Sequence, residues 1–179
     1  MKKKILTLVS IFALSVSTLF AATHDFQIKT TVDDVAVFKV LATTTETLTY
    51  AKVIDSATTE DLEDELVNAE TEVTIKTLAA ATNREENSTK GIFKITANAD
   101  PLTCDNTKTP MGYTLTIGTD PTVVLKSAAS TNIPVFSFTG DGTQQVAQKD
   151  VKAIVTKADW DAAAAGDYAA TISFNIAGA

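Results

Sequence analysis

The sequence predicts an all-β domain, built as an antiparallel sandwich or barrel. Short stretches in which apolar and polar residues alternate recur along the chain, and clusters of Gly, Pro, Asn, Asp or Thr separate them. The stretches are rich in β-branched residues, which suit a pleated, half-buried surface. Many short strands with turn signals between them are typical of sandwiches and barrels.

The predicted strands follow one another from residue 24 to residue 176. Asp33 and Asp34 interrupt the alternation between the first two. The predicted strands are residues 24–32, 35–41, 47–54, 72–79, 91–98, 113–117, 122–126, 133–138, 151–156 and 168–176. Two further stretches, residues 58–67 and 157–165, predict short helices on loops, because each combines a cap-like or turn-forming residue with helix formers.

The first residues predict a segment that is removed on export. Three lysines at positions 2–4 precede an apolar run that ends near Phe20, and the small residues Ala21 and Ala22 follow. This three-part pattern is typical of a secretory signal peptide, which we assign to residues 1–21. The alternative, a membrane anchor, requires a longer unbroken apolar run. The remaining chain of roughly 158 residues is expected to form one domain.

Charge and composition exclude several classes of function. The net charge is −7, and the three lysines of the signal peptide are included in it. An acidic surface argues against nucleic acid and anionic lipid as partners. Cys104 is the single cysteine, so an internal disulfide is impossible, and a buried, unreactive thiol is expected.

The chemistry-bearing residues do not predict an enzyme. His24 is the single histidine, and it lies near the mobile end expected for the exported chain, where no base could be held for catalysis. The acidic run at residues 60–65 lacks the spaced Asp/Asn-Gly pattern of a calcium loop. We therefore expect no cofactor and no metal, with a calcium-dependent structural protein as a minor alternative.

Two alternating segments predict pairing between molecules. No strand is predicted after residues 168–176, and no Pro protects the edge of that strand. At the opposite end, residues 24–32 form a predicted strand in which only Asp25 and Lys29 are charged. The first segment of one molecule could complete the sheet of the next, which builds an open head-to-tail filament. Alternatively, residues 24–32 fold back as the first strand of their own domain. The protein would then be a self-complete secreted β-sandwich that binds carbohydrate or protein.

In order along almost the whole mature chain, the sequence resembles the major subunits of the α-type chaperone–usher fimbriae, the colonisation-factor (CFA/I-type) pilins of Gram-negative bacteria. Residues 28–33 resemble the end of the N-terminal extension in these pilins, and residues 35–41 their first domain strand. The resemblance continues through residues 47–50, 90–101 and 165–168 into Ile172, Phe174 and Ile176.

The resemblance implies an immunoglobulin-like antiparallel sandwich, incomplete because it lacks its last strand, and completed in trans by a donor strand. Residues 22–33 would be the donor extension and residues 34–179 the pilin domain, with Asp33 and Asp34 as a joint that is looser than the Asp-Pro common in the family. The donor residues would be Phe26, Ile28, Thr30 and Val32. The acceptor groove and chaperone-binding strand would comprise Tyr168, Ile172, Phe174, Ile176 and the carboxylate of Ala179.

The function that the resemblance implies is that of a major structural subunit in the shaft of an adhesive surface fimbria. The expected partners are identical subunits in a head-to-tail fibre, a periplasmic chaperone, an outer-membrane usher and a tip adhesin. The expected location is the cell surface, reached through the periplasm. The mature chain has no room for a second, receptor-binding domain, which separates a shaft subunit from a tip adhesin.

Overall fold

A computed structural model describes residues 32–57, 70–85, 91–105 and 107–178. These residues form ten strands and two short helices. The strands are β1 (Ala36–Leu41), β2 (Val73–Thr82), β3 (Lys94–Ala99), β4 (Leu102–Cys104), β5 (Thr107–Met111), β6 (Tyr113–Ile117), β7 (Asp120–Val124), β8 (Ser130–Ser137), β9 (Gln145–Ile154) and β10 (Ile172–Ala177). The helices are α1 (Tyr50–Asp55) and α2 (Lys157–Asp161). The predicted all-β class is confirmed.

All strand pairs are antiparallel, and they form three sheets. The largest has five strands in the order β1-β2-β9-β6-β7, and the second has three in the order β10-β3-β8. Strands β4 and β5 form a two-stranded sheet. The chain divides into two compact units, of which residues 34–179 contain every strand and helix described above.

The five-stranded and three-stranded sheets share one hydrophobic core. Alternation along the strands directs every second side chain into it. Fully buried members are Leu78 of β2 and Leu115 of β6 on one side, with Ile95 of β3 on the other. Phe93 and Phe138 stack beside them with ring centroids 5.5 Å apart. The two sheets are therefore joined mainly by apolar packing.

A second, smaller core lies on the other face of β2, under helix α1. Its buried residues are Leu41, Leu48, Val53, Ala79 and Ala81. The prediction of a strand over residues 47–54 is wrong, because this segment forms α1 instead. Ala79 and Ala81 present small side chains, so the helix can approach the sheet closely and bury Val53. Burial on both faces of β2 outweighs the β propensity of the segment.

Other predicted strands are present with shifted bounds. The strand predicted at 113–117 coincides with β6, while the strand predicted at 151–156 is the end of the longer β9. Strands β4 and β5 were not predicted. The strand predicted at 168–176 begins only at Ile172. The predicted helix at 157–165 is confirmed as the shorter α2, and the one at 58–67 lies outside the described residues.

Candidate functional site

The free edges of two different sheets lie beside each other. Strand β1 is the edge of the five-stranded sheet and pairs with β2. Strand β10 is the edge of the three-stranded sheet and pairs with β3. Within the part of the chain that the structure describes, neither strand has a partner on its other side. The rings of Phe38 and Phe174 meet with centroids 5.1 Å apart, which brings the two edges together.

The core-facing side chains of these two edges define what we call the β1–β10 strip. It consists of Ala36, Phe38 and Val40 on β1, and of Ile172, Phe174 and Ile176 on β10. Five of the six are only half-buried, and Ile176 is 45 % exposed. Six apolar side chains along two adjacent edges therefore keep part of their surface outside the core.

Burial falls sharply from the inner strands to this strip. Residues directly opposite each other in an antiparallel pair share a face of the sheet. Ile172, Phe174 and Ile176 face Ala99, Ala97 and Ile95 of β3, and all three β3 residues have no exposed surface. Val40 and Phe38 likewise face Leu78 and Ala80, which are fully buried. On the edge strands β10 and β1, the side chains on the same face of each sheet are therefore only partly buried.

The segment that precedes β10 is hydrogen-bonded to strand β4. Thr103 and Ala169 exchange both backbone hydrogen bonds, at 2.8 and 2.9 Å. Tyr168 is half-buried against the main core, and its hydroxyl donates to the carbonyl oxygen of Ala164 at 3.2 Å. Tyr168 thus precedes β10, and does not continue the row of Ile172, Phe174 and Ile176 along the strand as the sequence predicted.

The residue after β10 lies close to the backbone just before β3. Gly178 has φ of +72°, and a Cβ there would overlap the carbonyl oxygen of Ile92. Glycine adopts this conformation readily and has no Cβ, so the close approach depends on it. Ala179, the predicted chaperone contact, lies outside the described residues, as do the predicted donor residues Phe26, Ile28 and Thr30. Val32 is described and is 79 % exposed.

The chain enters the domain through a set of polar contacts ahead of β1. The side chain of Arg84 donates from Nε to both carboxylate oxygens of Asp34, at 2.8 and 3.1 Å. The backbone N–H of Val35 donates to Asn83 Oδ1 at 2.8 Å, and the Val35 carbonyl accepts from Thr82 Oγ1 at 2.8 Å. Asp34 is therefore held at the domain surface by Arg84.

Helix α1 also contributes to this entry point. The hydroxyl of Tyr50, the first residue of α1, is buried, and among the described residues it has no hydrogen-bond partner. Burial, and to a lesser degree the negative charge of Asp34, raise the pKa of that hydroxyl. The Asp34 carboxylate thus lies near both Arg84 and α1. Asp33, the other predicted joint residue, is exposed.

The sequence did not predict that β1 forms one side of the strip, which we call the β1 wall. It also did not predict that Arg84 takes part in the polar contacts ahead of β1. Phe38 belongs to an alternating run, so its burial was expected, but its proximity to Phe174 depends on a contact across 136 positions of the chain (174 − 38). Arg84 carried one usable signal. It is the single arginine in the sequence, and it lies shortly after an apolar strand.

The next features concern metal binding, the single thiol and membrane crossing. No group of three or more His, Cys, Asp or Glu side chains among them could hold a metal ion. The acidic run at 60–65 lies outside them. Cys104 is buried with a free thiol. No helix in the described ranges is long and apolar enough to cross a membrane.

Comparisons with known proteins returned no matching family model, no matching curated protein and no matching solved structure.

Proposed function

We propose that this chain is the major shaft subunit of an adhesive surface fimbria, exported through a chaperone–usher pathway and polymerised by donor-strand exchange. The observation that carries the proposal is the β1–β10 strip, where two sheet edges expose half-buried apolar side chains side by side. In this proposal the domain is an immunoglobulin-like sandwich without its last strand. The donor strand comes from residues 22–33 of the next subunit.

An added strand would match both the free backbone groups of the two edges and the partly buried apolar side chains of the strip. Edge strands carry unpaired N–H and C=O groups that can template another strand. Alternate side chains of that strand would cover the half-buried surface of Phe38, Phe174 and Ile176. Each large apolar side chain that becomes buried stabilises the assembly by about 1.5–3 kcal/mol. Each net main-chain hydrogen bond adds about 1 kcal/mol.

The alternating segment at the start of the mature chain supplies the required side chains. Phe26, Ile28, Thr30 and Val32 share one face of an extended strand, so they could enter the strip together. Val32, the last of the four, is 79 % exposed. In the cell, a periplasmic chaperone would cover the strip first, and the usher would then replace it with the incoming extension.

This exchange explains how a fibre could form without an enzyme or a nucleotide. A strand that packs less well is replaced by one that packs better, so the difference in packing drives the reaction. Identical subunits then follow head to tail, with a tip adhesin at the end. The fibre would owe its persistence to slow unfolding of each completed domain.

The proposal is tested by placing a charge on the donor face. The variants Phe26→Asp and Ile28→Asp, each in the exported chain, should reach the periplasm and yield no fibres, because a buried carboxylate is strongly disfavoured in an apolar groove. Gln27→Asp is the matched control, since residue 27 lies on the opposite face of the strand. Electron microscopy of surface fibres and immunoblots of periplasmic fractions provide the readouts. Normal fibres from both donor-face variants would contradict the proposal.

Sedimentation of the purified mature chain separates this proposal from a self-complete domain. A shaft subunit should form a series of head-to-tail oligomers, here called ladders, whose length grows with concentration. A domain that pairs residues 24–32 internally should stay monomeric at every concentration. Deleting residues 22–32 should abolish the ladders in the first case and, in the second, should lower the stability of the monomer itself.

A further inference from the structure

The first part of strand β1 is packed less firmly than its last residue, Leu41, which is buried in the smaller core. Strand β1 is an edge strand paired only with β2 among the described strands, and its core-facing side chains are half-buried. Edge strands with little buried apolar surface open from their ends at low free energy. If β1 opened, the Phe38–Phe174 contact and one wall of the strip would be lost. Leu41 holds the far end of β1, so an interaction at the start of the strand would oppose this opening.

The polar contacts before β1 lie at the end where opening would begin. The first backbone pair of β1 with β2 is Ala36 with Thr82. Immediately ahead of it, Val35 is hydrogen-bonded to Asn83 and Thr82, and Asp34 is paired with Arg84. Asn83 also donates its backbone N–H to the Val35 carbonyl, at 3.3 Å. These contacts join the start of β1 to the residues that follow β2.

Arg84 is unusually placed for an ion pair. Its side chain is 3 % exposed, while that of Asp34 is 41 % exposed. Its Nη1 is buried and, within the described ranges, has no hydrogen-bond partner. Burying a guanidinium with unfilled donors is costly, so a well-packed apolar residue of similar size would serve stability at least as well. A buried pair of this kind can instead specify one arrangement of the chain.

We propose that Arg84 is a positioning residue for the acceptor strip, because it holds Asp34 and thereby keeps the β1 wall closed against the core. Without Asp34, the buried guanidinium would have no carboxylate partner and would turn towards solvent, taking residues 83–85 with it. The start of β1 would then be released. The role in assembly rests on the proposed function, whereas the effect on β1 does not.

Hydrogen–deuterium exchange on the mature chain tests the effect on β1 directly. In Asp34→Asn and Arg84→Met, the peptide covering residues 35–41 should lose protection by about tenfold or more. A peptide covering β6 should keep its protection, since β6 is a fully paired inner strand. Asp161→Asn is the matched control. It breaks the exposed Lys157–Asp161 pair and should change neither peptide.

Three further outcomes decide the inference. Unchanged exchange at 35–41 in both variants would overturn it. An equal loss in β1 and β6 would also overturn it, because Arg84 would then act on the whole fold. If Arg84→Met fails to fold, Arg84→Lys and the apolar double variant Asp34→Leu/Arg84→Met take its place. The double variant should regain thermal stability and still show faster exchange in β1, and recovery of both would again contradict the inference.

Assembly is measured separately on the same variants. Ladders of the mature chain should form at least several-fold more slowly in Arg84→Met than in the wild type, and at the wild-type rate in Asp161→Asn. If the wild-type chain forms no ladders at all, the proposed function fails, and the exchange experiment still decides the role of Arg84. If Arg84→Met loses β1 protection and still assembles at the wild-type rate, the link between Arg84 and the acceptor strip is wrong.

Discussion

At the scale of single residues, Gly166 and Cys104 show why the approach to the last strand tolerates little change. A Cβ on Gly166 would overlap the Sγ atom of Cys104, whereas it would lie 3.8 Å from the Cys104 Cβ, at ordinary contact distance. Cys104 is buried at the end of β4, and its neighbour Thr103 is hydrogen-bonded to Ala169. The glycine is therefore required by the sulfur atom that faces it.

This contact predicts a compensating pair of substitutions. Gly166→Ala should lower the free energy of unfolding by about 1–3 kcal/mol, because overpacking forces a buried side chain to move. In a Cys104→Ala background the same substitution should cost almost nothing, since the alanine keeps Cβ and removes Sγ. A double-mutant cycle by urea denaturation measures the coupling. Equal costs in the two backgrounds would show that the sulfur does not impose the glycine.

At the scale of elements, the alternating pattern predicts strands well where one face is buried and the other is exposed. Strand β6 alternates between buried and partly buried side chains, and its predicted bounds coincide with the observed ones. The pattern fails for residues 47–54, because Leu48 and Val53 are buried by helix α1 against the outer face of β2. That face became available only through Ala79 and Ala81, which lie far away in the sequence. Local propensity carries no information about such a contact.

Helix α1 yields a prediction that separates it from a strand. Val53 has no exposed surface, whereas its neighbour Ile54 is 36 % exposed and points away from the small core. Val53→Ala should destabilise the protein by about 2 kcal/mol, because it deletes two buried methyl groups and leaves a cavity. Ile54→Ala, the matched control, should cost less than about 0.5 kcal/mol. Thermal unfolding followed by circular dichroism provides the measurement, and equal losses would argue against the assigned helix.

At the scale of the whole molecule, half of the candidate site was predictable. The row of Ile172, Phe174 and Ile176 follows from alternation alone. The β1 wall does not, because it depends on where the edges of two sheets meet, and this meeting is set by packing over the whole core. Arg84 was missed for the same reason. Its partner Asp34 lies 50 positions away, and no short motif announces an ion pair at that distance.

If the adjacent edges of β1 and β10 form the acceptor, a chain whose strip is already filled should stop growth of the assembly. A mature chain that carries a second copy of residues 22–33 after residue 179, joined by a short Gly/Ser linker, should fill its own strip and keep a free extension. Such a chain can donate a strand and cannot accept one. Added in substoichiometric amounts to the wild-type chain, it should shorten the ladders seen by sedimentation, because each copy ends one filament.

The same chain with Phe26→Asp and Ile28→Asp in the second copy is the control and should leave its strip open, so ladder length should not fall. Ladders of unchanged length with the terminating chain would mean that the β1–β10 strip is not the acceptor, whatever else joins the subunits.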